Sequence, residues 1–165
     1  MLARRMNGLP ALIQQIVKGT SMQSKKTILA VDDNPINLGI LEEILAGDYR
    51  LEFAQTGQEA IRSAAQYPPA VVLLDVMMPG MDGLEICRRL REMPGLSNTA
   101  IIMVSAKAMP SEREAGLRAG ADDYITKPFD DVELLDALRR YLKSADQKAD
   151  VLVSDETDDE TIIVS

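Results

Sequence analysis

Thr27-Ile28-Leu29-Ala30-Val31-Asp32-Asp33-Asn34-Pro35 is the stretch on which the reading of this chain turns. Its first five residues form a near-continuous apolar run of strand length, the pattern of a strand covered on both faces of a parallel sheet. Two acids end the run. Asn34 then stands before Pro35 as a helix cap before proline at the first helical position. The stretch is therefore one βα unit, with an acidic turn between strand and helix. Further strands are expected at 49–54, 70–74, 100–104 and 122–126. Helices are expected at 35–46, 57–66, 83–92, 111–119 and 130–142. Gly47 should stop the first helix. Ser111 with Glu114 reads as a capping box, Gly120 as a helix stop, and Asp82 and Asp130 as N-caps. Five such units make a doubly wound α/β domain; a barrel needs about eight.

Composition narrows the chemistry. The 165 residues carry a net charge of −8, one cysteine and no histidine or tryptophan. Without histidine, Ser-His-Asp and Cys-His nucleophile systems are excluded, as are imidazole zinc sites and a phosphohistidine within this chain. A single thiol, Cys87, forms no internal disulfide and fits a reducing, cytoplasmic setting. No apolar run approaches ~18 residues, so no membrane span is expected. Charge is unevenly spread. Residues 1–26 hold five basic residues and no acid, residues 27–143 hold 12 basic and 19 acidic, and residues 144–165 hold one Lys against seven acids. The folded part has no basic stripe, which argues against nucleic acid.

In an open parallel sheet, ligands bind outside the carboxyl ends of the strands. Those ends carry Asp32 and Asp33 after the first strand, Asp75 after the third, Ser105 after the fourth and Lys127 after the fifth. An aspartate after a strand is usually a turn or cap residue. Polar groups at four of five strand ends are much harder to attribute to turns. Three carboxylates and one ammonium leave a charge of −2. Such a site raises its carboxyl pKa values or takes a cation, and Mg²⁺ suits carboxylate, carbonyl and water oxygens. A phosphoryl group carried on one aspartate is tolerable there only with both cations present.

Four motifs then align in order: Val31-Asp32-Asp33-Asn34-Pro35, Asp75-Val76-Met77-Met78-Pro79-Gly80-Met81-Asp82-Gly83, Ser105-Ala106, and Tyr124-Ile125-Thr126-Lys127-Pro128-Phe129. Residues 26–143 resemble a response-regulator receiver domain of two-component and phosphorelay signalling, of the kind found in hybrid kinases. The resemblance implies a five-stranded parallel, flavodoxin-like sheet of order 2-1-3-4-5 with five helices. It implies that Asp75 is the phosphoacceptor. Asp33 would bind Mg²⁺ directly, Asp32 mostly through water, and the Met77 backbone carbonyl would complete the protein ligands beside Asp75. Ser105 and Lys127 would each meet a phosphoryl oxygen, Ala106 would leave room, and a cis Lys127-Pro128 peptide would aim the lysine. Ser105 and Tyr124 would form the switch, with Tyr124 turning from exposed to buried on phosphorylation. Phosphoryl transfer through a loose transition state needs such positioning and charge neutralisation.

Other readings fit less well. A flavin binder needs a hydroxyl- and Gly-rich loop after the first strand, where Asp32-Asp33 repels phosphate. A haloacid-dehalogenase-like phosphatase needs a second aspartate where Met77 stands, and a P-loop hydrolase lacks its Gly-Lys-Ser/Thr. An unphosphorylated scaffold receiver is disfavoured because every site position is filled. Pro79, Gly80 and Gly83 read as loop shapers, Met77, Met78, Met81 and Met103 as packing, and Cys87 as a buried small apolar residue. The chain is thus expected to be a signalling switch and not a metabolic enzyme. A histidine kinase or histidine phosphotransfer protein would serve it in trans, with output to an unknown protein target or by onward transfer. The last 22 residues are too few for an effector domain.

The flanks carry less. Residues 1–25 form a basic extension in which Leu9, Leu12, Ile13, Ile16 and Val17 fall at helical spacing; Gln14 and Gln15 argue against a secretory signal. Residues 144–165 read as an acidic disordered tail. On helix 35–46, a wheel at about 100° per residue puts Asn37, Leu41, Ile44 and Leu45 toward the sheet, with Ile36 outside that stripe. Ile36, Leu38 and Pro128 are expected to form the collar on which the phosphodonor docks. Residues 111–142 are the expected output face and phosphorylation-dependent dimer surface.

Overall fold

The computed structural model describes residues 25–153, with the backbone alone described from 144 onward. Five strands alternate with five helices: β1 Thr27–Val31, α1 Pro35–Leu45, β2 Arg50–Ala54, α2 Gly57–Gln66, β3 Val71–Asp75, α3 Gly83–Glu92, β4 Ala100–Ser105, α4 Pro110–Arg118, β5 Asp123–Thr126 and α5 Asp131–Val153. All pairings are parallel and the strand order is β2-β1-β3-β4-β5, as the resemblance implied. The central strands β3 and β4 are buried along their whole length, whereas edge strand β2 is buried only at Ala54. Continuous apolar runs belong where helices cover both faces of the sheet.

Two cores result. On one face α1 and α5 place Leu38, Leu41, Leu45, Leu134, Ala137 and Leu138 over Ile28, Ala30, Leu73 and Ile102. On the other, α2 and α3 place Ala60, Ala64, Ile86, Cys87 and Leu90 over Leu29, Val72, Leu74 and Ile101. Cys87 is fully buried, and burial pushes its thiol up to about 11, so the small-apolar reading holds.

The helix ends show how local chemistry sets the boundaries. Asn34 accepts from the Ile36 N–H at 3.0 Å, Asp82 from Leu84 at 3.0 Å and Asp130 from Glu133 at 2.8 Å, so all three expected caps are present. Gly120 adopts φ +111° and closes α4, a conformation that favours glycine. Two expectations are corrected. α4 begins one residue earlier than expected, at Pro110, and the Met109 N–H donates to Glu112 at 3.3 Å, so Ser111 and Glu114 do not form the capping box. α1 ends at Leu45 with Ala46 as its cap. Gly47, the residue after that cap, lacks the positive φ with which Gly120 closes α4, so it is not a left-handed helix stop.

A third correction concerns the tail. α5 continues to Val153, so residues 144–153 are helical where disorder was expected. The amphipathic stretch around 9–17 and the tail beyond 153 lie outside the described residues. No described helix is long and apolar enough to cross a membrane.

Candidate functional site

Parallel register brings the polar strand ends into one row. Val31 pairs with Leu74, so Asp32 falls beside Asp75. Asp75 pairs with Val104, and Ser105 with Thr126, which puts Ser105 and Lys127 one step further along the same rim. The Lys127 N–H donates to the Ser105 carbonyl at 2.8 Å and extends this pairing past the strand. The strand order reverses between β1 and β3, and that crevice is where an open α/β sheet binds its ligand.

Asp32, Asp33 and Asp75 offer carboxylate oxygens within 4.8 Å of one another. Asp32 and Asp75 are buried and Asp33 is exposed. Asp32 is saturated: Oδ1 accepts from the Asn34 N–H at 2.9 Å, and Oδ2 from Asn37 Nδ2 at 2.9 Å and Lys127 Nζ at 2.8 Å. Asp75 Oδ1 accepts from the Met77 N–H at 3.0 Å, and its Oδ2 lies 3.6 Å from Lys127 Nζ. Burial pushes the Asp75 carboxyl above the ordinary carboxylate range and the neighbouring acids add to this, against the Met77 N–H and Lys127. One lysine therefore faces three carboxylates. The backbone below is tightly packed: a Cβ on Gly83 would sit 2.6 Å from the Asp75 carbonyl oxygen, so only glycine lets α3 begin against the end of β3.

Ser105 is fully buried, and its Oγ accepts from the Lys107 N–H at 3.1 Å. The Lys107 carbonyl in turn accepts from the Tyr124 hydroxyl at 2.9 Å. Tyr124 is 4% exposed, so the ring expected outside before phosphorylation already lies inside, beneath α4. Arg113 holds the Tyr124 carbonyl at 2.9 Å from above. The Lys127-Pro128 peptide is cis, as expected.

The expected docking collar divides. Ile36 is 71% exposed and Pro128 is exposed, but Leu38 is 6% exposed and belongs to the core. Leu38, Leu41 and Leu45 fall at i, i+3 and i+7, and that is the stripe α1 buries. Leu38 is accordingly withdrawn from the collar. Asn37, expected to face the sheet, instead binds Asp32. Sequence reasoning missed Asn37 and Lys107 as parts of the site. Asn37 left a signal, a polar residue on an apolar stripe five positions after Asp32. Lys107 acts through its backbone and left none.

Residues 28–139 match the family described as "Response regulator receiver domain". The response regulator PleD of Caulobacter vibrioides is 41% identical over 113 residues, 68% of this chain and 25% of PleD. The chain thus spans about a quarter of that relative's length. A CheY-like receiver domain protein from Methanospirillum hungatei JF-1 superposes with a TM-score of 0.71 at 29% identity, covering 76% of this chain and 99% of that one. The receiver domain of sensor histidine kinase PA1611 from Pseudomonas aeruginosa PAO1 gives 0.68 at 34% identity, covering 73% and 99%, and its crystal structure has a magnesium ion coordinated in the active site cleft. Family match, strand order and the Asp32–Asp75–Lys127 rim agree: this chain belongs to the response regulator receiver domain family.

Proposed function

We propose that the chain is a phosphorylation switch in which Asp75 accepts a phosphoryl group from a phosphohistidine on another protein. Receiver domains are two-component signalling modules that interact with histidine kinases or phosphotransfer proteins and bind Mg²⁺ at an acidic pocket. The observation that carries the reading is the imbalance at the rim, three carboxylates within 4.8 Å against one lysine. This donor set fits a hard dication. Asp33, Asp75 and the Met77 carbonyl would hold it. Asp32, already bonded to Asn34, Asn37 and Lys127, would act through water. The ion supplies positive charge to the equatorial phosphoryl oxygens.

The chain's own residues do the rest. An Asp75 carboxylate oxygen forms the new O–P bond as the donor's P–N bond breaks, and that electron pair leaves with the imidazole. Lys127, 3.6 Å from Asp75 Oδ2, turns from Asp32 to a phosphoryl oxygen. Ser105 gives its hydroxyl to another and loses the Lys107 N–H. Since the Lys107 carbonyl holds Tyr124, this shift reaches the tyrosine through two hydrogen bonds. The phosphoryl group then stabilises the inward Tyr124 already seen, and α4, β5 and α5 report the change to a protein target or a second copy. Only a few kcal/mol between states is required for the bond to shift their populations. The setting is cytoplasmic.

Incubation with acetyl phosphate and Mg²⁺, read by intact mass, should add one phosphoryl group, and Asp75→Asn should abolish the adduct. No adduct on wild type, or an undiminished one in the variant, overturns the reading. Tyr124 ring shifts in the same sample should move on phosphorylation. Ile36 and Pro128 form the donor's collar, so Ile36→Glu should slow transfer from a phosphohistidine protein about tenfold, about 1.4 kcal/mol of barrier, and leave acetyl phosphate labelling intact. Equal losses in both assays would place Ile36 in the site itself.

A further inference from the structure

α4 sits on the sheet differently from other helices of the fold. α1 buries Leu38, Leu41 and Leu45, and α3 buries Ile86, Cys87 and Leu90, so each is seated by large side chains. Of the nine residues of α4 only Gly116 is buried. Its φ is not the left-handed one that Gly120 takes, so the backbone does not require glycine there. In a helix interior glycine weakens the helix relative to alanine. What Gly116 supplies is therefore space.

The space is occupied from below by two side chains. A Cβ on Gly116 would lie 2.7 Å from Met103 Sδ, 3.1 Å from Tyr124 Cδ2 and 3.4 Å from Tyr124 Cε2. These neighbours differ in what they can give. Met103 ends in a flexible thioether that can turn aside. The Tyr124 ring is rigid, and its residue is held at both ends. Its hydroxyl donates to the Lys107 carbonyl at 2.9 Å, and its main-chain carbonyl accepts from Arg113 at 2.9 Å. The loop that carries Lys107 is itself fastened to α4: Glu112 accepts from the Met109 N–H at 3.3 Å and pairs with Lys107 Nζ at 3.4 Å. Glu112 and Arg113 belong to the same helix as Gly116, so lifting α4 to admit a side chain at 116 would stretch these contacts as well.

We propose that Gly116 is a positioning residue of the switch: its missing side chain is the slot that the inward Tyr124 ring fills, so the size of residue 116 sets how much of the population holds the ring inside. A methyl group there acts against the inward state alone, because an outward ring leaves the slot empty. By linkage, a phosphoryl group that favours the inward ring is then accepted less readily. The effect on phosphorylation rests on the reading above; the slot does not.

The test uses the full chain with Gly116→Ala. Tyr124 ring signals should respond to a photoexcited flavin dye in the NMR spectrum of the variant and stay silent in the wild type, where the ring is 4% exposed. A ring that stays silent in the variant overturns the slot. A second readout is thermal melting. Gly116→Ala should lower the Tm of the wild type by a few degrees, yet leave it unchanged or raise it beside Tyr124→Ala, where Met103 has room to turn. The same change in both backgrounds also overturns the slot. Acetyl phosphate labelling of Gly116→Ala should slow several-fold at unchanged Mg²⁺ affinity. Equal labelling rates overturn the coupling to phosphorylation. Weakened Mg²⁺ binding would make Gly116 a support of the rim itself and overturn the positioning role. A wild type that takes no phosphoryl group would sink the phosphorylation reading and leave the ring and melting results standing.

Discussion

Two of the chain's Asp-Asp pairs, Asp32-Asp33 and Asp122-Asp123, stand directly at strand ends on opposite rims of the sheet, and their surroundings differ in kind. Asp122-Asp123 stands where β5 begins, and its charges are answered locally. Asp122 Oδ2 pairs with Arg91 and accepts from the Ile101 N–H at 2.8 Å. Asp123 meets Arg113 at 3.4 Å, Arg140 at 3.1 Å and its neighbour's N–H, that of Tyr124, at 2.8 Å. Asp32-Asp33 stands where β1 ends, and together with Asp75 it shares one lysine. The same dipeptide is charge-balanced where three arginines meet it and part of an excess of negative charge where one lysine serves three carboxylates. A buried carboxylate without its own partner is costly, and a fold that keeps one leaves room for a charge to come.

The largest expected difference between the two regions concerns the missing charge itself. Chelating Mg²⁺ should abolish acetyl phosphate labelling altogether, because the bare rim repels the donor. Asp33→Ala should weaken Mg²⁺ binding by a larger factor than Asp32→Ala, since Asp32 is held by three protein donors and Asp33 is exposed. Fluorescence or NMR titration of both variants decides this, and equal losses would break the assignment.

At the balanced end, loss should appear as stability. Arg91 ties Asp122, the Gly120 carbonyl at 2.7 Å and the Thr99 carbonyl at 2.6 Å. Arg91→Ala should therefore cost roughly 2 kcal/mol, measured by urea unfolding, with phosphorylation of the remaining folded protein unchanged. A variant of wild-type stability would mean that the charge balance at this end does not hold the fold.

The smallest effect is a pH dependence of opposite sense to the usual aspartate. Burial raises the folded-state pKa of Asp75 above its ordinary 3.8. Its contribution to stability is thus full below about pH 4 and is lost as pH rises through the higher folded value. Asp75→Asn removes that loss. In chelator, the variant should melt a few degrees above wild type at neutral pH, and the gap should close toward pH 4. A gap constant with pH would show that the two rims do not differ in this respect.

Much of the fold was legible because its signals are local. The apolar runs at 27–31, 70–74 and 100–104, the caps Asn34, Asp82 and Asp130, and Gly120 each act within a few residues, so they can be read without the sheet. The capping of α4 differs from the expectation because Ser111-Glu114 and Met109-Glu112 offer competing frames shifted along the chain, from 111 to 109, and Pro110 favours the earlier start. Leu38 was misplaced by about one position on the wheel, because which leucines α1 buries depends on how the helix rolls against β1 and α5. Helix roll is a property of the packed pair.

What the sequence by itself determined was the chemistry at the strand ends. Alternation of βα units requires every strand to end at the same side of a parallel sheet, so Asp32, Asp75, Ser105 and Lys127 had to meet at one rim. What only the tertiary structure decided was which of these groups are already satisfied. Asn37 on Asp32, Lys107 between Ser105 and Tyr124, and Arg91 across Thr99, Gly120 and Asp122 depend on packing beyond the strand-end motifs. Hydrogen bonds are decided at ångström precision, and for these contacts that precision exists only once the helices have packed.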